Sequence, residues 1–436
     1  MPTSHYDVVV LGAHLEPLLC AALLAREGLR VLVLGQGAPE PSYVLEGVEV
    51  EPYGLTLTGA QSPAIQDTLE LLALRQDVRQ RTADRTQVFQ LLLPDHRINV
   101  YPDAKSWLEE VNRELPRVTR QAADITRTLA EVRAELDLMV SRGLTWPPET
   151  FIERQQFAFT ASAQRYDRQG QGWTSWNQLA LRHPLRTAFE AVLPHVSGLL
   201  PAQHSDATRG RLHGHVLGGV DEVTGGWSWF REALFARIRS WGSDVRTRDR
   251  ADSIQHRGRN GHTIRLARTD EEIGCSHIVH GTSISELSQI LPDRAPMTSM
   301  FERVGEPRSR AYRCSVHVLV DDACVPEALE PLALLCNDAA STENAFWLRH
   351  RPVGGGRTLF TTNALVDEHL IDAGSSPLRF VREQAMDAIR GVVPFLDEHA
   401  IWIDSPHDGL PPRALRDDGE LVCSDPWARG PYTMRA

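Results

Sequence analysis

The sequence predicts an α/β protein of the Rossmann type, on three observations at its N-terminus. Val8–Leu11 is a short apolar run broken by Gly12, Leu15–Arg26 carries apolar residues at helical spacing and stops at Gly28, and Val31–Leu34 is a second apolar run. Strand, turn, helix and parallel strand within about 30 residues make a βαβ unit, whose crossover is right-handed in nearly all known cases.

The chain has 436 residues, enough for roughly two or three domains with cores that need no disulfide staples. Hydrophobic residues make up 42% and charged residues 24%, near globular averages, which excludes disordered and membrane-embedded classes. The six cysteines, Cys20, Cys275, Cys314, Cys324, Cys336 and Cys423, show no C-x-x-C spacing and are read as reduced thiols of a cytoplasmic protein. Met1–Asp7 lacks a basic n-region, and Arg26, Glu27 and Arg30 interrupt the longest apolar stretch, so neither a signal peptide nor a spanning helix is expected. A peripheral membrane contact stays open. A net charge of −11 argues against nucleic acid as a partner.

In a βαβ unit, the G-x-G-x-x-G pattern gives a tight turn, close backbone approach to a pyrophosphate, and close helix–strand packing. Here the three positions read Gly12, His14 and Pro17, so only the turn glycine is kept. His14 puts a ring where the phosphates would meet bare backbone, and Pro17 removes an N–H from the first helical turn while being well tolerated there. The second strand should end in an acid that accepts hydrogen bonds from the ribose, but Leu34 is followed by Gly35-Gln36-Gly37. Glu16 and Glu40 are the nearby carboxylates that could substitute. Two readings stand: a structural βαβ unit that binds nothing, and a weakened dinucleotide site.

Segments along most of the chain resemble the phytoene desaturase-like branch of the FAD-dependent amine oxidase superfamily. Tyr6–Gly37 is similar to that family's opening βαβ unit. Gly47–Leu74, with Tyr53-Gly54-Leu55 and Gln61-Ser62-Pro63, is similar to the following turn and helix, and Val88–Pro116 to its strand, turn and helix. Gly225-Gly226-Trp227 with Phe230, Leu234 and Ile238, then Val245, Ala251 and Ile254, resembles the family's Gly-Gly helix and the strand beside the adenine. Cys275–Leu291, with His280-Gly281-Thr282, resembles the return to the nucleotide domain. Val10–Glu16 is also similar to the opening of the Rab GDP-dissociation inhibitor and escort group, which keeps this architecture without flavin and shelters a prenyl lipid.

The resemblance implies a Rossmann-like FAD/NAD(P)-binding domain with an inserted mixed α+β substrate domain. It implies FAD held by Gly12, Ala13, His14, Leu15, Gly35, Gln36, Ala251 and Thr282, and an oxidoreductase acting on an apolar substrate. Its alternative is a non-catalytic, flavin-free descendant that binds a lipid or protein partner. No catalytic acid or base can be named. Three features depart from the family: the glycine fingerprint with its ribose acid, an arginine missing from Gly35-Gln36-Gly37-Ala38-Pro39, and the closing Gly-Asp motif and helix. Leu421–Asp425 could imitate the last strand, but Pro426 and Gly430-Pro431 interrupt any helix after it. A protein partner could complete that region.

The expected organisation is 1–115 as the first part of the nucleotide domain, 116–220 as a helical substrate or lid region, and 221–295 as the return. A substrate-type domain over 296–400 and an incomplete return over 401–436 follow. Val118 to Met139 shows spacings of three and four, a long amphipathic helix ended by Gly143. Aromatics in Phe151–Phe159 and Trp173–Trp176 suit a core or a lipid-like ligand. Tyr312, Cys314, Val316, Val318 and Val320 alternate as in a half-buried strand; Trp347–His350 and Thr358–Thr362 read as further strands, and Leu378–Val393 as a helix. His204, His213 and His215 lack the spacing of a metal site and are read as structural. His280 and Cys423 lie near the expected nucleotide crevice.

Overall fold

The computed structural model describes residues 4–38, 40–82, 87–141, 150–163, 171–198, 206–258, 261–282, 284–291, 311–336, 345–367, 369, 375–410, 412–415 and 434–435. The chain divides into two compact units, one formed by 1–41, 68–81 and 224–308, the other by 42–67, 82–223 and 309–436.

The first unit is the Rossmann-like one. Strand β1 (Ser4–Leu11), helix α1 (Leu15–Arg26) and strand β2 (Val31–Leu34) follow one another as the apolar pattern predicts. β2 pairs with β1 in parallel, Val8 opposite Val31 and Leu11 opposite Leu34. Both faces of β2 are covered, which is why it reads as an unbroken apolar run and not as an alternation. The six-stranded sheet runs Ala251–His256, His262–Leu266, Glu272–His280, β1, β2, Asp244–Arg246. Glu272–His280, β1, β2 and Asp244–Arg246 are mutually parallel, and the two outer strands at the other edge are antiparallel. α1 packs on the helix Gly226–Ser240, burying Leu18, Ala21, Ala22 and Ala25 from one side and Phe230, Leu234 and Ile238 from the other.

The second unit is mixed α+β. Its large sheet runs Arg413–Ala414, Ala400–Asp404, Ala311–Asp321, Arg357–Asp367, Ala345–Gly354, Leu332–Cys336, Phe89–Leu92, Arg97–Val100, with Met434–Arg435 paired to Ala311–Asp321. On one side it shares a core with Ala104–Glu114, Thr119–Ser141 and Pro184–Ser197, around Trp107, Ala122, Phe189 and Leu334. A second core under Ser375–Arg390 gathers Val318, Phe360, Ala385 and Ile389. Asp103 caps its helix by accepting from the Ser106 N–H at 2.8 Å, and Thr119–Ser141 is the long helix that the spacing predicts.

The boundaries differ from those expected in two ways. Residues 42–67 and 82–115 belong to the second unit, because Phe89–Leu92 and Arg97–Val100 add to its sheet. Ala400–Asp404 also falls there, since it pairs with Ala311–Asp321. Leu421–Asp425, Pro426 and Cys423 lie outside the described residues. Among the described residues no helix is long and apolar enough to cross a membrane.

Candidate functional site

In the first unit, the turn between β1 and α1 is built as a dinucleotide turn. Gly12 has φ 111°, and its N–H donates to the Leu34 carbonyl at 2.8 Å; Ala13 is buried behind it. The Gly281 N–H donates to the Leu11 carbonyl at 2.8 Å, and a Cβ on Gly12 would stand 3.1 Å from the Gly281 carbonyl oxygen. The strand-to-loop return at Gly281-Thr282 therefore closes on this turn, as the resemblance implies.

A dinucleotide needs donors at the helix start, a carboxylate at the end of β2, and a free backbone group on the strand beside the adenine. At the helix start, His14 is the N-cap with no side-chain cap bond, Leu15 is half-buried, and Glu16 places an exposed carboxylate in the first turn. That carboxylate opposes a phosphate at the helix's positive end. Pro17 packs against Gly281, since a Cβ on Gly281 would stand 2.6 Å from the Pro17 Cγ. Thr282 is bonded through Oγ1 to His280 Nε2 at 2.7 Å, and burial lowers the His280 pKa.

The end of β2 is closed by protein atoms. A Cβ on Gly35 would stand 2.6 Å from the Thr247 carbonyl carbon, and the Gly35 N–H donates to the Arg246 carbonyl at 3.1 Å. Gln36, held at φ 53°, accepts the Ala251 N–H on its side-chain oxygen at 2.5 Å. Two of the expected cofactor contacts, Gln36 and Ala251, thus bond to each other. Glu40 pairs with Arg231 Nη2 at 2.6 Å and Glu16 is exposed, so neither substitutes for the missing ribose acid. The end of β2 thus carries no carboxylate at Gly35 or Gln36, while the Gly12 turn and the start of α1 are present.

The second unit contains a cavity of about 150 Å³. Its lining includes Tyr53, Thr56, Thr58, His195, Arg313, Trp347, Arg349 and Asn363. Arg313 comes from the strand Ala311–Asp321 and donates from Nη2 to the His195 carbonyl at 2.9 Å. Burial lowers its pKa, and among the described residues no carboxylate forms an ion pair with it. Arg349 lies 3.7 Å from Glu222 and donates to the Glu51 carbonyl at 3.4 Å. Burial in turn raises the Glu51 pKa, against the opposing pull of Arg349. His195 stacks on Trp347 with centroids 6.0 Å apart, bonds through Nε2 to the Ala345 carbonyl at 3.1 Å, and is pushed down to about 4 by burial.

Next to the cavity lies a buried polar chain. Tyr53 O–H donates to the Arg313 carbonyl at 2.8 Å and lies 3.3 Å from His407 Nε2; Ser315 Oγ is 3.1 Å from both His407 Nε2 and His317 Nε2. His317 Nδ1 reaches Thr361 Oγ1 at 3.0 Å. Ser315 and His317 are fully buried, so the strand expected to be half-buried is covered on both faces here. None of these residues stands out in the sequence, except as polar positions in a strand whose other face is apolar.

The remaining candidates are structural or undescribed. His213 is buried beside Phe189 and Trp176, with ring centroids 5.0 and 5.7 Å away, and His215 has a pKa lowered by burial. His204 lies outside the described residues, among which no cluster could hold a metal ion. Phe151 and Ile152 are exposed, while the Trp176 ring is in the core.

No sequence family and no curated protein matches the chain. Solved structures do. A protein from Pyrococcus furiosus superposes with a TM-score of 0.58 at 14% identity, over 93% of this chain and 89% of that one. An oxidoreductase from Methanosarcina mazei gives 0.58 at 14%, over 92% and 87%. Putrescine oxidase bound to putrescine gives 0.54 at 15%, over 99% and 88%. The chain has the fold of these proteins. At such identities the likeness establishes the Rossmann-like fold with its inserted α+β domain.

Proposed function

We propose that this protein is a flavin-free descendant of the FAD-dependent oxidoreductase fold, which binds a small ligand in its α+β unit and performs no flavin chemistry. The observation that carries this is the closed end of β2. The Thr247 carbonyl stands against Gly35, and the Gln36 side chain takes the Ala251 N–H, so the ribose and adenine positions are satisfied from within. The lining of the described cavity is polar and charged, which favours a polar ligand over the apolar substrate or lipid that the resemblance implies.

The rival is an impaired FAD-dependent oxidoreductase, and the intact Gly12 turn favours it. The visible spectrum of the purified full chain, before and after incubation with excess FAD and removal of the unbound fraction, tests the two. A colourless protein that rejects added FAD is expected. Retained stoichiometric flavin would return the chain to the oxidoreductases and make apolar polyenes and amines the substrates to screen.

A further inference from the structure

We propose that the cavity of the α+β unit is a binding site for a small organic monocarboxylate, anchored by the Arg313 guanidinium and bordered by the stacked rings of His195 and Trp347. A guanidinium drawn partly out of water, as Arg313 is, favours an anion beside it. Arg349 has Glu222 at 3.7 Å, whereas among the described residues no carboxylate pairs with Arg313, whose Nη2 donates to the His195 carbonyl. Two guanidinium groups thus line the cavity and, among the described residues, no carboxylate does, which suits an anionic ligand. That single bond from Nη2 fixes the guanidinium plane and leaves its other N–H groups to offer. A planar fork of such donors suits a carboxylate in bidentate geometry.

Size narrows the choice. At about 150 Å³ the cavity is below the ~300–1,000 Å³ of drug-sized ligand pockets, so the ligand is a small one such as a short-chain acid. The Trp347 and His195 rings offer an apolar wall for a short chain, and Thr56 and Thr58 offer hydroxyls for the second carboxylate oxygen. His195 itself brings no charge near neutral pH, since burial holds it at about 4, and its Nε2 is engaged with the Ala345 carbonyl.

This deepens the flavin-free reading and rests on it only for the ligand being bound and not oxidised. Isothermal titration of the full chain with butyrate, and separately with the neutral isostere butyramide, at fixed ionic strength, is the test. Saturable butyrate binding at least 10-fold tighter than butyramide is expected, with loss of that preference in Arg313→Gln and partial recovery in Arg313→Lys. No saturable butyrate binding, or equal binding of butyramide, would overturn the site; these wild-type titrations hold even where Arg313→Gln fails to fold. Phosphate or chloride matching butyrate would also overturn it, in favour of a generic anion hole. Flavin retention is read independently from the visible spectrum, so failure of either conclusion is seen apart from the other.

Discussion

Gly35 lies directly against the backbone of Thr247: a Cβ at position 35 would stand 2.6 Å from the Thr247 carbonyl carbon. The position that should carry a ribose-binding acid is therefore one where this chain has no room for any side chain. Gly35→Glu should destabilise the protein by about 1–3 kcal/mol through overpacking and should confer no FAD binding. Urea unfolding together with flavin retention checks both; a Gly35→Glu variant that turned yellow would show that the loop at Thr247 yields.

Gln36 acts as an internal stand-in for a ligand at the neighbouring strand. Its side-chain oxygen accepts the buried Ala251 N–H, and its backbone is left-handed at φ 53°. Gln36→Asn keeps a residue that tolerates this conformation and shortens the arm. Losing the acceptor of a buried N–H should cost about 1–3 kcal/mol. The Ala251 amide should exchange with solvent faster in the variant, and unchanged exchange would mean that it finds its acceptor elsewhere.

In the α+β unit, Arg382 and Asp408 form a buried ion pair, Nε to Oδ2 at 2.6 Å and Nη2 to Oδ1 at 3.0 Å, with Asp408 fully buried. Asp408 Oδ1 also accepts the Leu410 N–H at 2.9 Å, tying the helix Ser375–Arg390 to the loop after Ala400–Asp404. Arg382→Met leaves the carboxylate uncompensated and should cost about 3–5 kcal/mol. Adding Asp408→Leu should recover part of that loss, measured as denaturation midpoints across the double-mutant cycle; no recovery would mean that the Leu410 bond, and not the charge pair, matters most.

How much of this was legible depended on whether the signal was local. α1 was readable from Leu15 to Arg26 because Gly12 and Gly28 punctuate a helical pattern, and β2 because both its faces are covered. The departures from the glycine pattern at His14 and Pro17 are local and are read from the sequence directly. The closure at Thr247 is not, since it depends on the path of a loop more than 200 residues beyond Gly35 in the chain. The cavity of the α+β unit was also hidden. Tyr53, His195, Arg313 and Arg349 come from four distant segments, and Arg313 looked like the solvent-facing polar position of an alternating strand. Alternation reports the period of a strand, and it takes tertiary structure to show that its polar face is buried too.

His195 and His407 should make the protein acid-sensitive in a defined window. Burial holds His195 down at about 4 and His407 at about 3, against an ordinary value of 6.5 for both. Each is neutral when folded and binds a proton more readily when unfolded, so the stability it contributes is fully present above 6.5 and is lost as pH falls through the folded value. The slope is about 1.4 kcal/mol per pH unit for each histidine between those limits. Between pH 6 and pH 4 both act together; below 4 only His407 continues. His407→Gln removes one titration, so the variant should be less stable than wild type at pH 7 and the gap should close by about 1.4 kcal/mol per unit on acidification. Urea midpoints from pH 7 to pH 4 for the two proteins give this directly. A gap that stayed constant across that range would mean that His407 titrates equally in both states and would overturn the prediction.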